Sequence, residues 1–569
     1  MHGTPPVMPA TPGARPETCS GHGMGMASTP SLRVLLAAAV AAAGIGAGCR
    51  SRSRVEEGTR DGILHIANDA EPADLDPNTN IDSATEVHLN ALFEGLVGLS
   101  NDGRTVVPGV AERWEISPDG LVYTFHLRPG SHWSNGAPLT SEDFLFSFRR
   151  IMDPLVACEE SSFGFAIRGA EDFALGRTKD PSALGLEAPD PATFVIRLAH
   201  PAPYFLGTLA VGSPFFPVYR PLLERFGGVH QRGTPWTREG NLIGNGPFVL
   251  ARWVQNQVIE VRKDPHYWDA DHVKLAGVNF SAIEDPDAQE RGFRTGQFHI
   301  AMLFPIYKEA AYSGVQPAVL HTFPLLRTKF LTFNVMRAPF TDARVRRALS
   351  LALDRKKLAS AVYHSFADPA FAQLRPGTGG YTPPYADLYQ FDPEGARRLM
   401  AAAGYPGGRG CPPIELMLVG NDAQTVNMGE VVQAAWRDVL GVTANLSPTE
   451  KKVYLDAERS KHYHAMIEQW DYPWDDPSAF YQTASTGNPN NDSGWSDPEF
   501  DRAYAQAENS ADREVRARAF DVQEKRMAES VPYAPLFFWN KPVLVVPSVH
   551  GWAGNPLNHL EWKEISLGP

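Results

Sequence analysis

The sequence predicts an α/β protein, and three observations predict it. Short β-type runs and capped, helix-periodic runs alternate through the body of the chain instead of segregating. Hydrophobic residues make up 43% and charged residues 21%, a globular balance that rules out a disordered or fibrous chain. The 569 residues include 49 glycines and 48 prolines, which suits a loop-rich α/β body better than a helix bundle. Such a length accommodates about two to four domains. With 52 Lys+Arg against 65 Asp+Glu the formal charge is −13, which leaves no basic footprint for nucleic acid.

Residues 1–30 carry no apolar period, and Met24 and Met26 are alternative starts. Arg33 then precedes the uncharged run Val34–Ala47. This run is shorter than the ~20 residues a membrane-spanning helix needs. A charge, a short apolar core and small residues describe a secretory signal over residues 1–48. Ala47-Gly48-Cys49 resembles a bacterial lipoprotein cleavage site, with Gly46 where Leu is usual. Cys49 is therefore expected to carry acyl chains, with residues 49–60 as a solvated tether. Cys158 and Cys411 form the one other possible pair, and spacing alone does not show that it forms.

Ile63–Ala67 reads as a strand, and Leu121–Leu127 as an alternating strand entered through Ser117-Pro-Asp-Gly120. Phe248–Trp253 and Val258–Val261 flank Gln255-Asn-Gln257 as a hairpin. Thr140 and Asp143 form a capping-box start, followed by Phe144, Phe148 and Ile151 at helical spacing. Asp342 caps a helix with Val345, Ala348, Leu349 and Ala352 on one face. Asp392-Pro393 and Asp497-Pro498 each place a cap before a first-turn proline, and Gly404 ends the helix begun at 392.

Motifs for catalysis are missing. There is no Gly-Lys dipeptide for a phosphate loop, no His-Glu dipeptide for a zinc helix, and no Gly-x-Ser-x-Gly elbow. His462, His464 and Glu468 are a metal candidate, but neither strand nor helix spacing brings all three together. No nucleophile stands with its base. The chain reads as a binder without cofactor or metal, not as an enzyme.

An ordered set of segments then resembles the extracytoplasmic solute-binding proteins of peptide ABC importers, the oligopeptide/dipeptide-binding family (family 5). These segments are Glu71–Pro77, Leu92–Leu96, Val107–Trp114, Phe125–Phe144, Gly244–Phe248 with Asp264–Trp268, Phe333-Asn334, Pro339–Ala348 with Asp354-Arg355, Ala402–Tyr405, Trp470–Phe480 and Val531–Leu536. Phe125–Phe144 is the most specific of them. The resemblance implies a two-lobed periplasmic-binding-protein (type II) fold with an extra inserted domain. It places lobe I in 61–98, 227–320 and 531–569, the inserted domain in 99–226 and lobe II in 321–530. It also implies a monomeric receptor in the periplasm or cell envelope, held to a membrane by its lipid alone. That receptor captures oligopeptides between its lobes and delivers them to the permease subunits of an ABC transporter. Some members of the family take nickel chelates, haem or sugars instead, and a secreted hydrolase on such a body is the remaining alternative.

Three segments match the family's ligand-facing stretches: Ile81-Asp82-Ser83, Asn245-Gly246, and the loop with Gln469, Trp470, Asp471, Tyr472, Trp474 and Asp475. The family carries an amine-binding Asp where a gapless alignment puts Pro473. Proline has neither charge nor N–H, so Asp471 or, after it, Asp475 takes the role, or the ligand lacks that amine.

Overall fold

A computed structural model describes residues 52–80, 82–315 and 318–568, with the Ser83 side chain outside the description. The signal over 1–48, Cys49 and Ile81 lie outside the described residues. The tether expectation gives way from Ser53 onward. Arg54–Asp61 is an α-helix opened by a reciprocal Ser53/Glu56 capping box, and its Val55 N donates to Gly296 O at 2.9 Å. Alternating charges concealed a helix whose start signal is local.

Two long antiparallel strands organise the rest. Leu320–Phe333 and Tyr533–Val545 pair from Leu320↔Leu544 to Pro324↔Asn540, and again from Thr328↔Phe538 to Thr332↔Tyr533. Between these stretches Leu325, Leu326 and Arg327 face a single partner position, a β-bulge that bends the ribbon. Beyond one end of the ribbon come Ile300–Ala301, Ile63–Asn68, Gly277–Ala282, Val258–Lys263 and Phe248–Val254. Beyond the other come Ala465–Asp471, Ile414–Val419 and Ala444–Thr449.

Each end builds its own core. Leu64, Ile66, Phe248, Val278, Phe280 and Trp562 pack with Phe323 and Val543 at one end. Leu331, Phe333, Val345, Leu349, Trp436 and Ile467 pack with Leu536 and Phe537 at the other. The near-continuous burial of Ile63–Asn68 is what a parallel strand covered on both faces requires.

A third core lies under a separate antiparallel sheet, ordered Ala111–Ile116, Val122–Leu127, Thr193–Arg197 and Leu186–Asp190. Tyr123, Phe125 and Leu127 point inward on alternate positions of its second strand. The helix Ser141–Met152 lays Phe144, Phe148 and Ile151 onto the sheet, and Phe148 meets Phe194 edge-on at 5.3 Å. Fully burying each such ring contributes about 1.5–3 kcal/mol. Asp143 Oδ2 accepts from Thr140 N at 2.8 Å, so the helix starts where its capping residues put it. Asp342, Asp392 and Asp497 are themselves N-caps, accepting from Arg344 N at 2.9 Å, Gly395 N at 2.8 Å and Glu499 N at 2.9 Å. In the 248–263 hairpin, Asn256 adopts φ 57° at the turn. Cys158 and Cys411 are both free thiols.

The ordered sequence motifs act mainly as internal fasteners. Asp76 of Leu-Asp-Pro forms a bidentate, fully buried pair with Arg150 at 2.6 and 2.9 Å, tying the inserted sheet's helix to the first core. Glu94 accepts from Tyr267 Oη at 2.5 Å and Trp268 Nε1 at 2.6 Å. Arg355 donates to Pro535 O and Tyr389 O, both at 2.7 Å. Removing one partner of a buried ion pair strands the other charge. Asp76→Ala is therefore expected to lower unfolding free energy by about 3–5 kcal/mol in a denaturant titration; a loss under about 1 kcal/mol would show the pair to be dispensable.

Candidate ligand-binding cleft

A cleft of about 1540 Å³ opens where the two strand ribbons bend. Its floor is Leu325–Arg327 of the bulge together with Trp539, Lys541 and Pro542 of the partner strand. Its walls begin where parallel strands end. Asn68 and Asp69 close Ile63–Asn68, Met302–Ile306 follow Ile300–Ala301, and Trp470–Trp474 carry Ala465–Asp471 onward. Open α/β sheets place ligands at these carboxyl ends.

Ala465–Asp471 also offers an edge. Its other neighbour, Ile414–Val419, pairs with it only at Ala465 and Met466. The Tyr454 hydroxyl donates to Ile467 O at 2.8 Å. From Gln469 to Asp471, among the described residues, no strand covers the edge opposite Leu320–Phe333.

An aromatic group spans the cleft. The Trp474 ring stacks on Tyr204 of the inserted domain, with centroids 5.5 Å apart and planes 10° apart, and meets Phe163 edge-on at 5.4 Å. Tyr204 Oη donates to Glu508 Oε2 at 2.5 Å. Among the described residues, Trp474 Nε1 is buried without a hydrogen-bond partner.

The charged groups divide across the cleft. Arg327 pairs with Asp471, Nη2 to Oδ2 at 3.0 Å and a closer Nε–Oδ1 contact. Lys541 Nζ reaches Asn558 Oδ1 at 3.2 Å, and burial pulls its ammonium down to about 8. Opposite stand Glu86 and Glu160. Burial pushes Glu86 up to about 7, against hydrogen bonds from Ser213 and Asn80. Burial, then the Glu86 and Glu159 charges, pushes Glu160 up to about 8.

Of the residues nominated from sequence, Asp82, Trp470, Asp471, Tyr472 and Trp474 line the cleft. Asp82 is exposed and caps the helix Ser83–Leu92, accepting from Ala84 N at 3.1 Å. Tyr472 is 3% exposed, and its hydroxyl is engaged by Thr328 Oγ1 and by Gln373 O at 2.9 Å. Gln469 lies beside the cleft, its amide 3.4 Å from Asp471 Oδ2.

Asn245, Gly246 and Asp475 stand apart from the lining. Both amide atoms of Asn245 are spent on the Glu94 backbone, at 2.8 and 3.2 Å. A side chain on Gly246 would meet Phe93 N at 2.5 Å, so this glycine permits a close approach of two segments. Asp475 Oδ1 accepts from Gly379 N at 2.7 Å, which turns its carboxylate to the loop behind. His464 Nδ1 faces Glu415 N at 3.5 Å, so the His462/His464/Glu468 set does not converge.

Sequence reasoning missed Phe163, Tyr204, Glu86, Glu160, Arg327 and Lys541. Only Arg327 left a signal: with Lys329 it sets two cations on alternate positions of an otherwise apolar strand.

The family profile described as "Bacterial extracellular solute-binding proteins, family 5 Middle" matches residues 105–492. The chain belongs to this family. The family 5 chain is 31% identical over 506 residues to the periplasmic murein peptide-binding protein MppA of Escherichia coli, covering 88% of this chain and 91% of that one. It is 30% identical to the probable deoxycholate-binding periplasmic protein YgiS of the same organism, covering 89% and 93%. Among solved structures it resembles Haemophilus influenzae OppA in complex with RPPGFSPFR, with TM-score 0.75, 27% identity and coverage of 89% and 99%. The E. coli MppA structure gives TM-score 0.77 at 29% identity, over 89% and 98%. The fold of this family 5 protein is two-lobed α/β with an extra inserted domain, and family members are substrate-binding proteins rather than enzymes.

The buried carboxyls set a pH dependence. Glu86, Glu524 and Glu561 are pushed to about 7, and Glu160 and Asp492 to about 8. Below these values the folded chain holds protons the unfolded chain has released, so stability falls as pH rises. Buried His65, His88, His299 and His559, pulled down to about 4, act oppositely, but only below their ordinary 6.5. Between about pH 6.5 and 7.5 the acids act unopposed by these imidazoles, before Lys329 and Lys541, which burial pulls down to about 8, begin to act oppositely. Tm is expected to decline across that window in differential scanning calorimetry, and less steeply in Glu160→Gln. A Tm that climbs from about pH 6.5 to 7.5 contradicts this.

Proposed function

We propose that this family 5 protein captures oligopeptides in its cleft and delivers them unaltered to the permease subunits of an ABC importer. The observation that carries the reading is the uncovered edge at Gln469–Asp471 along a cleft of about 1540 Å³. That volume exceeds the ~300–1,000 Å³ of small-molecule pockets. An extended peptide docks on such an edge through main-chain hydrogen bonds, which supply affinity whatever its side chains are. Relatives named for peptides, MppA and OppA, support the same ligand class. Asp82, Trp470, Asp471, Tyr472 and Trp474 are the contacts we assign, with Ile81, Ser83 and Gln469 beside them. Closure of the lobes presents the loaded form to the transporter.

The division we propose keeps lobe I in 61–98, 227–320 and 531–569 and lobe II in 321–530. The inserted domain is 99–226 in this division, and its last stretch docks on lobe I, where Phe216, Val218, Leu222 and Leu223 pack in the first core. Location in the periplasm or cell envelope, with Cys49 as lipid anchor and a monomer as the working unit, completes the reading. Among the described residues no helix is long and apolar enough to cross a membrane.

Pro473 favours a second reading, a non-peptide solute. The position of the family's amine-binding carboxylate carries no charge here, and Asp471 is already paired with Arg327. The relatives named for deoxycholate and for haem, YgiS and heme-binding protein A, fit a ligand without that amine.

Native mass spectrometry after incubation with a mixed peptide pool separates the two. Retained species of intact peptide mass are expected, and Trp474→Ala should weaken retention about 2- to 10-fold. Empty protein beside a retained haem or bile acid establishes the second reading, and cleaved peptides would mean a hydrolase. For the anchor, Cys49→Ser is expected to move the protein from the membrane fraction to the soluble fraction; an unchanged distribution overturns the anchor.

A further inference from the structure

Away from the cleft lining, Glu458, Glu468 and Asp492 bring carboxylate oxygens within 4.8 Å of one another. They come from three elements: the helix Lys451–Arg459, the strand Ala465–Asp471, and the segment that follows cleft residues Ser485–Asn490. Glu468 is 4% exposed and Asp492 6%. Thr332 Oγ1 donates to Glu468 Oε2, but among the described residues Glu468 Oε1 is buried with no donor of its own and only the Glu458 carboxyl beside it. Lys461 and Arg459 are the cations that act on the cluster, and among the described residues neither is ion-paired with the three acids. Burial pushes all three carboxyls above their usual range, and repulsion from neighbouring acids adds to it for Glu468 and Asp492.

Buried carboxylates need a proton, a partner charge or a metal. We infer that Glu458, Glu468 and Asp492 bind a hard divalent cation of calcium's size. Two oxygens on one ion lie at most twice the metal–oxygen distance apart. That limit is about 4.6–5.2 Å for Ca²⁺ and about 4.0–4.2 Å for Mg²⁺. Separations within 4.8 Å are ones a single Ca²⁺ can bridge, and Mg²⁺ is disfavoured by its demand for near-ideal octahedral geometry and its reluctance to dehydrate. The donors are all oxygen, with no imidazole or thiolate, which disfavours zinc and copper. Glu468 lies two residues before Trp470, and Asp492 two residues after Asn490, so the ion cross-links two walls of the cleft to the helix behind them. It acts as a structural brace for lobe II, independent of what the cleft holds.

The test is a thermal melt of chelator-treated full-length protein at constant ionic strength, with CaCl₂ or MgCl₂ added and no cleft ligand. Calcium is expected to raise Tm saturably by about 2 °C or more at millimolar concentration, with a smaller effect of magnesium. The isosteric variants Glu468→Gln and Asp492→Asn abolish the rise. As a second readout, Tb³⁺ emission sensitised by the neighbouring Tyr454 and Tyr463 should appear in the wild type, be competed by Ca²⁺ and be lost in both variants. No calcium effect, with Glu468→Gln raising Tm in metal-free buffer, overturns the site in favour of shared protons. A calcium effect that survives both variants overturns it as well.

Discussion

Everything in this protein hangs on one ribbon, the antiparallel pair Leu320–Phe333 and Tyr533–Val545. Its two ends are buried in different cores, so the same pair of strands belongs to both lobes. Its middle cannot pair fully, because Leu325–Arg327 oppose a single partner position. That bulge converts one sheet into two bodies with a bend between them, and the bend is the cleft floor. Proline at 324, in the strand, and at 542, in its partner, suits such an irregular ladder, since neither can donate a backbone bond.

The cleft is built from side chains that the ribbon and its flanking strands leave at their ends. Its polar groups are unevenly satisfied. Arg327 and Asp471 satisfy each other, whereas among the described residues Trp474 Nε1, Glu86 Oε2 and Glu508 Oε1 are buried without hydrogen-bond partners. The Tyr204–Trp474 stack and the Tyr204–Glu508 hydrogen bond join the inserted domain to lobe II across the cleft. Pro473 between Tyr472 and Trp474 removes a charge and substitutes rigidity. In the proposed reading, recognition leans on aromatic surface and strand edge more than on a buried carboxylate at that position.

Much of the fold was legible in the residues. The capped starts at Thr140, Asp342, Asp392 and Asp497, the 248–263 hairpin and the alternating strand before residue 127 all follow from local chemistry that tertiary packing does not override. The motif order disclosed the family because many motif residues are fasteners: Asp76 with Arg150, Glu94 with Tyr267 and Trp268, Asn245 with the Glu94 backbone. The same fact bears on three of the nominated site residues. Asn245 and Gly246 are ordered for packing, and Asp475 for a turn. Cleft-lining groups such as Tyr204 and Glu160 come from a helix-capping turn and a short 3-10 helix with no amphipathic period, and their meeting with Trp474 and Glu86 depends on long-range closure that no local pattern encodes.

The account stands or falls on two bodies closing over a guest. Spin labels at exposed Arg177 of the inserted domain and Arg518 of lobe II, on a chain with Cys158 and Cys411 replaced by serine, measure that closure by pulsed electron resonance. A guest retained by the protein should shift the distance distribution shorter and narrow it. An unchanged distribution with the guest demonstrably bound would contradict the clamp.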